Sequence, residues 1–240
     1  MNKDEKIAIA VCDSGKVEGS HSAGIHFAIM NKDINHHFKD FIRSKGIKIA
    51  TQRQEIFNTW MLPDFDHTDW LLWLDSDIEV SYSSLKSLLD SADKDNFPVV
   101  SGLYFTTVST DNNGLPVPHP CFFRYDEETK NRQWWNLDLN VDNEEAMIKA
   151  ESVGFGMLLI HRSIAKKLVE HFGNKHLFLE IQEEDHSVYY SEDIVFCLNL
   201  KEIGIPIYVN TKAIPAHWKT IPLDNNYYKF YHENISKDTI

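Results

Sequence analysis

The sequence has few cysteines, no excess of basic residues and no long apolar run. Cys12, Cys121 and Cys197 are odd in number and form no Cys-x-x-Cys pair, which argues against a disulfide framework or zinc-thiolate site and favours a reducing cytoplasm. Because 36 acidic residues outnumber 24 basic ones, the formal net charge of −12 argues against tight, non-specific nucleic-acid binding, although it does not exclude a local basic patch. No apolar run approaches the roughly 20 residues of a membrane helix, and the amino-terminal one is too short for a signal peptide.

Apolar and amphipathic segments alternate along the first half of the chain. The candidate strands are residues 7–11, 70–74 and 99–105, and the candidate helices are residues 23–30, residues 51–61 and a segment capped by Ser83. This βαβαβ order predicts an α/β fold with a mostly parallel sheet and helices on its faces. At 240 residues and 42% hydrophobic content, the chain is expected to form one domain around one sizeable core.

The second half begins with a segment rich in proline and turn-forming residues. Residues 106–120 contain three prolines and an Asn-Asn-Gly turn signal, which predicts a long irregular loop, either a lid or a mobile surface insertion. Residues 122–125 and 133–137 follow as a short hairpin. Helices are then expected from Ser163 and Ser191, with apolar strands before and after the second one.

An acidic motif follows the apolar run of residues 70–74. Asp75-Ser76-Asp77 stands where that strand would leave the sheet, and open α/β sheets bind their ligands at the carboxyl ends of their strands. The two carboxylates therefore predict a site for a cationic group. A solvated turn after the strand is the alternative.

Four elements of the chain together resemble the GT-A nucleotide-sugar glycosyltransferases, in particular the family-2-like branch. In chain order they are the acidic motif Asp75-Ser76-Asp77, the glycine strand beginning Gly154-Phe155-Gly156, the acidic helix start Ser191-Glu192-Asp193, and the late histidine His217. They are similar to the family's DxD motif, glycine-containing strand, acceptor-side motif and metal-binding histidine. The resemblance covers most of the chain, from residue 7 to about residue 219, and implies a Rossmann-related, mostly parallel sheet flanked by helices, with a short antiparallel hairpin and a lid-like loop.

The resemblance implies a divalent ion in the donor site. Asp77 and His217 would bind the ion directly, and Asp75 would reach it through water, bind it directly or contact the ribose. Carboxylate and imidazole ligands favour Mn2+, with Mg2+ as the alternative. Such an ion would stabilise the nucleoside diphosphate leaving group, and the donor would be a UDP- or GDP-sugar by family habit.

The resemblance also implies residues that contact the donor. Asp13 lies where GT-A proteins grip the base or ribose, although its surroundings depart from the pattern of the branch. Arg53 would pair with phosphate or hold Asp75, and a purely structural salt bridge is its alternative. Lys219 would neutralise a diphosphate oxygen or remain solvated. Ser76 and Gly156 complete the candidate donor contacts.

The acceptor side is defined by neighbouring carboxylates and by tryptophans. By resemblance, Asp193 is the general base of an inverting transfer, and Glu192 is either the base itself or an acceptor-binding residue. Carboxylates in a first helical turn also suit the helix dipole without any function. Trp134 and Trp135 would form a platform for a sugar ring or a base, or pack in the core.

Three functions follow from these residues. The chain transfers a sugar to a glycan or protein, or it glycosylates a hypermodified DNA base as phage enzymes do, or it binds a nucleotide sugar or metal without catalysis. The net charge of −12 disfavours the DNA acceptor. Expected boundaries are residues 1–105 for the nucleotide-binding half, 106–223 for the acceptor and metal-completing half and 224–240 for a tail, in the cytoplasm of a bacterial or phage-infected cell.

Overall fold

The computed structural model describes residues 1–13, 19–46, 48–126, 131–134, 146–173, 175–182, 189–219 and 222–234. Its α-helices are α1 Gly19–Ile29, α2 Ile49–Trp60, α3 Tyr82–Ser91, α4 Arg162–Phe172, α5 Glu192–Glu202 and α6 Asn225–Asn234. Its strands are β1 Ile7–Asp13, β2 Phe38–Lys45, β3 Trp70–Leu74, β4 Ile78–Glu79, β5 Val99–Gly102, β6 Phe105–Thr110, β7 Pro116–Pro120, β8 Phe122–Asp126, β9 Asn131–Trp134, β10 Met147–Ala150, β11 Ser152–Val153, β12 Met157–His161, β13 Ile181–Gln182, β14 Tyr189–Tyr190, β15 Ile207–Asn210, β16 Ala216–Trp218 and β17 Pro222–Leu223. No helix in these ranges is long and apolar enough to cross a membrane.

A seven-stranded sheet forms the centre of the molecule. Its strand order is β10-β15-β5-β12-β3-β1-β2, and all strands except β10 and β12 run in the same direction. The α/β fold with a mostly parallel sheet is thereby confirmed. In the centre of the sheet, Leu72 of β3 pairs with Ile9 of β1 on one side and with Leu159 of β12 on the other.

Helices cover both faces of this sheet. Trp70, Leu72 and Leu74 pack on the face of α1 and α3, whereas Leu71 and Trp73 pack on the face of α2, α4 and α5. Every residue of β3 is buried, which explains why the strand reads as an uninterrupted apolar run. The acidic motif at its end is therefore anchored to a fully buried strand.

The structure adds an edge strand that the sequence did not predict. β2 pairs in parallel with β1 and forms one border of the sheet. Its residues alternate between buried or partly buried positions and exposed ones and include Lys39, Asp40, Arg43 and Lys45, so it lacks the apolar run that marked the central strands. Ser83 is also not the cap of α3, because Ser81 holds that position and accepts a hydrogen bond from the Ser84 backbone N–H at 3.0 Å.

The proline-rich segment is a hairpin and not an irregular loop. β6 and β7 pair in antiparallel register, and Asp111 Oδ1 accepts hydrogen bonds from the backbone N–H groups of Asn113 and Leu115 in the turn. The last described helix, α6, packs on this hairpin. Tyr227 of α6 donates its hydroxyl hydrogen to the Pro116 carbonyl at 2.7 Å, so the hairpin is held by the end of the chain. The second hairpin, β8 with β9, agrees with the sequence, although residues 135–137 lie outside the described ranges.

The later helices follow their sequence signals. α4 begins at Arg162, one residue before the expected Ser163, and ends before Gly173, whose φ is 63°. α5 begins at Glu192 directly after Ser191, and Gly204, with φ of 71°, follows its end. Positive φ angles are unfavourable for residues with a Cβ atom, so both glycines suit their positions after a helix.

Candidate functional site

Two distant segments meet at the carboxyl end of β3. After Asp77 the chain enters β4, which pairs with β16 so that Ile78 lies opposite His217. The Trp218 backbone N–H also donates to the Asp77 carbonyl at 2.8 Å. This backbone pairing brings Asp77 and His217, 140 residues apart in the sequence, into contact.

Asp77 is the centre of a small ionic cluster. Its Oδ2 lies 3.1 Å from Nε2 of His217 and 2.7 Å from Nζ of Lys219. Burial acts to raise the pKa of Asp77, but the contacts with His217 and Lys219 outweigh it and hold that pKa well below its ordinary value. The carboxylate is therefore ionised, as a metal ligand must be.

The orientation of His217 is fixed from the other side of its ring. Nδ1 lies 2.8 Å from the Phe105 carbonyl oxygen, which can only accept, so Nδ1 carries the hydrogen. Nε2 then faces Asp77, and either a proton or a metal ion joins the two groups. A histidine that donates its second ring N–H to a carbonyl is the usual arrangement of a metal ligand, so these two residues fit a divalent ion.

Asp75 points to a different partner. Both of its carboxylate oxygens lie 3.2 Å from Nη2 of Arg53, a contact that is one of the alternatives expected for Arg53 from the sequence. Burial raises the pKa of Asp75, although the Arg53 charge opposes the effect. Within the part of the chain that the structure describes, no group of three or more His, Cys, Asp or Glu side chains is arranged to hold a metal ion. Asp77 and His217 are together, whereas Asp75 is held by Arg53.

Glu192 and Asp193 face different surroundings although they are adjacent. Glu192 is buried, with Oε1 lying 3.1 Å from Nε of Arg53. Burial raises the pKa of Glu192, and the Arg53 charge opposes this effect. Asp193 is only partly buried, and its Oδ1 accepts hydrogen bonds from the Ile194 backbone N–H at 2.8 Å and from the Ser191 hydroxyl.

Tyr104 supports the site but had no signal in the sequence. Its hydroxyl accepts a hydrogen bond from the Gly156 backbone N–H at 3.1 Å, and the Gly156 carbonyl accepts one from the Asp75 N–H at 3.1 Å. The Tyr104 ring also meets the His217 ring edge-on, with centroids 5.4 Å apart. A Cβ atom on Gly156 would lie 2.7 Å from Cζ of Tyr104, so this glycine makes room for the tyrosine. In the sequence, the closely spaced Gly154 and Gly156 indicate that a bulky group packs against this segment, but they do not identify it as Tyr104.

The remaining candidate residues occupy varied positions. Asp13 is fully buried and forms an ion pair with Arg43, so its carboxylate is not exposed at the edge of the site. Ser76 is partly buried in the turn between β3 and β4. Trp134 ends β9, but its side chain lies outside the described part of the structure, as does all of Trp135.

Comparison with known proteins gives a result for structure and none for sequence. No model of a protein family matches the sequence, and a search of curated proteins finds no match. A197 from STIV is similar in structure with a TM-score of 0.55 and 17% identity, over 89% of this chain and 86% of that chain. GalNAc-T7, solved with UDP, GalNAc and Mn2+, gives a TM-score of 0.53 and 10% identity over 87% of this chain. The fold is GT-A-like.

At these identities the likeness establishes the fold alone, and the chain spans only 43% of the length of GalNAc-T7. Within this GT-A-like fold, the carboxyl edge of the sheet collects groups of both charges. The anionic groups are Asp75, Asp77, Glu192 and Asp193, and the cationic or titratable partners are Arg53, His217 and Lys219. Such a set can bind a divalent cation, can place positive charge beside an anion, and offers a carboxylate that can accept a proton.

Proposed function

We propose that this chain is a metal-dependent glycosyltransferase that moves a sugar from a nucleoside diphosphate sugar to an acceptor hydroxyl. The observation that carries the proposal is the meeting of Asp77 and His217 at the carboxyl end of β3, beside the acidic start of α5. Ligands in open α/β sheets bind at this edge. The GT-A-like fold supports the same conclusion independently of these residues.

Asp77 and His217 would hold the divalent ion through Oδ2 and Nε2. When bound, the ion would stabilise the negative charge that develops on the departing diphosphate. Lys219, whose ammonium lies 2.7 Å from Asp77, adds positive charge at the same position. Mn2+ suits a mixed carboxylate and imidazole donor set, and Mg2+ is the second choice. UDP is the first nucleotide to test, because GalNAc-T7 has this fold and was solved with UDP and Mn2+.

We assign the general base to Asp193 and not to Glu192. Glu192 is buried against the Arg53 guanidinium, which leaves it poorly placed to meet an acceptor. Asp193 is partly exposed, and its Oδ1 is fixed by Ser191 and Ile194, so Oδ2 is the oxygen available to an acceptor hydroxyl. In an inverting transfer, the acceptor oxygen bonds to the anomeric carbon, Asp193 takes its proton, and the sugar-phosphate electron pair leaves with the diphosphate.

The acceptor is a glycan, a protein or a modified nucleic-acid base. We expect the reaction to take place in the cytoplasm, where cysteines remain reduced, and all three cysteines of this chain are free thiols. The tryptophan platform expected from the sequence stays a prediction, because its side chains lie outside the described residues.

Thermal unfolding in the presence of nucleotides tests the donor site. The purified chain is heated with UDP, GDP and their sugars, each with Mn2+ or with EDTA. A nucleotide at about 100 times its Kd adds about 2.7 kcal/mol of stability, which raises Tm by roughly 5–10 °C in a protein of this size. We expect this rise for one base, only with the metal.

Two variants make the test specific. Asp77→Asn should abolish the metal-dependent rise in Tm, whereas Asp64→Asn, an exposed aspartate outside the site, should keep it. The absence of any rise for wild type with every nucleotide and Mn2+ would refute the proposed donor site. A metal-dependent rise without any sugar transfer or donor hydrolysis would instead indicate a binding module.

A further inference from the structure

The guanidinium of Arg53 lies between the two acidic motifs. Its Nη2 is 3.2 Å from each carboxylate oxygen of Asp75, and its Nε is 3.1 Å from Oε1 of Glu192. Asp75 follows β3 and Glu192 begins α5, so a single side chain of α2 contacts both motifs. The DxD-like motif and the acceptor-side motif are thus joined through one cation.

These three charged groups are enclosed. The side chain of Arg53 is 2% exposed, that of Glu192 7% and that of Asp75 24%. The guanidinium carbon lies 4.7 Å from the centroid of the Phe155 ring and 5.9 Å from that of Trp73. In such surroundings charge interactions are stronger than in water, so two carboxylates compete for one guanidinium.

The guanidinium is not locked by its hydrogen bonds. In the described part of the chain, Nε and Nη1 make no hydrogen bond of good geometry, although Nε is close to Glu192. Among the described residues, Nη2 is the nitrogen of Arg53 that donates, and both of its contacts are to Asp75. A shift of the guanidinium toward one carboxylate therefore occurs at the expense of the other.

We propose that Arg53 is a positioning residue that couples the two acidic motifs, so that Glu192 sets how tightly Arg53 holds Asp75. The inference rests on the proposed metal-dependent function. Asp75 is the third candidate ligand from the sequence, and an ion held by Asp77 and His217 that also takes up Asp75 must compete with Arg53 for the Asp75 carboxylate oxygens. When the Glu192 contact is lost, Arg53 binds Asp75 more tightly. Metal binding is then weaker, although Glu192 is not itself a metal ligand.

Mn2+ titration without nucleotide tests this coupling. Free Mn2+ is followed by its electron paramagnetic resonance signal in the full-length chain, which gives Kd without any activity measurement. We expect Glu192→Gln to weaken Mn2+ binding about 5-fold or more. In an Asp75→Asn background the same substitution should change Kd by less than about 2-fold, because the coupled carboxylate is gone.

Glu192→Asp separates contact from charge. It keeps the negative charge but shortens the side chain by one methylene, so its carboxylate cannot reach Nε of Arg53 in the same geometry. Coupling through the contact predicts weakened Mn2+ binding for Glu192→Asp as for Glu192→Gln. Unchanged binding by Glu192→Asp, or an equal effect of Glu192→Gln with and without Asp75, would show a simple field effect and overturn the coupling.

The two proposals fail in different ways. If wild type binds no Mn2+ either alone or in the presence of UDP, the metal dependence of the proposed function is refuted together with the coupling. If wild type binds Mn2+ and the effects of Glu192→Gln and Asp75→Asn on the Mn2+ Kd are additive, only the role of Arg53 is refuted. Thermal unfolding of each variant verifies that it is folded, and Glu192→Asp replaces Glu192→Gln as the test if the latter fails to fold.

Discussion

Adjacent carboxylates in this site lie in different surroundings because a helix turns them in different directions. Glu192 enters the interior and meets Arg53, whereas Asp193 stays partly exposed at the first turn of α5. Successive positions on a helix are rotated by about 100°, so neighbours never share a face. The sequence leaves open which of the two carboxylates meets an acceptor, and in the structure the two differ in burial.

Replacing Asp193 by asparagine tests its role as base. The amide side chain would still accept hydrogen bonds from Ser191 and Ile194, but it cannot take a proton. We expect Asp193→Asn to lower the rate of nucleoside diphosphate release by roughly 10²–10⁴-fold while the nucleotide-induced rise in Tm stays as in wild type. Coupled assay of the released diphosphate measures the first quantity, and thermal unfolding measures the second.

Asp64→Asn is the matched control for this experiment, since it makes the same chemical change at an exposed position outside the site. Its rate should equal that of wild type. Equal rates for Asp193→Asn and wild type would remove Asp193 from the role of base.

At the scale of elements, the site depends on a close approach between β12 and the residues that follow β5. Gly156 precedes β12 and lies against the ring of Tyr104, which is 5% exposed. Tyr104 in turn contacts His217, and the Gly156 carbonyl holds the Asp75 backbone. The glycine is thus required by packing and not by backbone conformation, because only Gly114, Gly173 and Gly204 have positive φ among the described glycines.

A methyl group at position 156 is expected to destabilise the fold. Gly156→Ala places Cβ 2.7 Å from Cζ of Tyr104, so the buried ring has to move. Overpacking of this kind costs about 1–3 kcal/mol, which urea-induced unfolding would detect as a lower free energy of unfolding.

Gly19→Ala provides the control for this change. Among the described residues, and apart from its chain neighbours and its own helix backbone, no heavy atom lies within 4 Å of a Cβ at Gly19, the first residue of α1. Its free energy of unfolding should therefore change by less than about 1 kcal/mol and in the stabilising direction. If Gly156→Ala costs as much in a Tyr104→Leu background as in wild type, the Tyr104 ring is not the obstacle.

At the scale of the whole molecule, buried and partly buried histidines link stability to pH. Burial lowers the pKa of a set of imidazoles below the ordinary value of 6.5, namely those of His21, His37, His119, His161 and His232. Below that value the unfolded chain binds protons that the folded chain excludes, so acid favours unfolding. Burial raises the pKa of Asp75 and Glu192, which acts in the opposite direction at these two carboxylates.

We expect the free energy of unfolding to fall as the pH is lowered from about 7.5 to about 5.5. His161 isolates one contribution, because its Nδ1 accepts the Ser163 N–H at 3.2 Å and caps α4. His161→Asn keeps a capping side chain and removes the titrating ring, so its stability should depend less on pH than that of wild type. Urea-induced unfolding at a series of pH values measures the difference.

His26→Asn, on the exposed surface of α1, controls for the loss of one imidazole. If the free energy of unfolding of His161→Asn depends on pH as that of wild type does, burial of His161 contributes nothing to acid sensitivity. A stability that rises on acidification would mean that the carboxylates and not the histidines dominate.

Local patterns in the chain were enough to predict the order of the central elements and the positions of the acidic motifs. β1, β3, β12 and α5 were predicted within a few residues, because burial on both sheet faces and helix-ending glycines leave a local pattern. The α/β fold with a mostly parallel sheet follows from that order, whereas its GT-A-like character was implied by the resemblance of the motifs to that family. β2 was not predicted because an edge strand is half exposed. The hairpin of β6 and β7 was not predicted because its prolines mask the strand pattern.

Which charged groups meet is decided by the packing of the folded chain, and the sequence offered these pairs only through the resemblance to GT-A proteins. Arg53 lies 22 residues from Asp75, and Asp77 lies 140 residues from His217, so no local pattern records these contacts. The inward turn of Glu192 and the support from Tyr104 depend likewise on how α2, α5 and β12 pack on the sheet. Local periodicity encodes which side of an element is buried, whereas the partner of a charge is set by the packing of segments that are far apart in the chain.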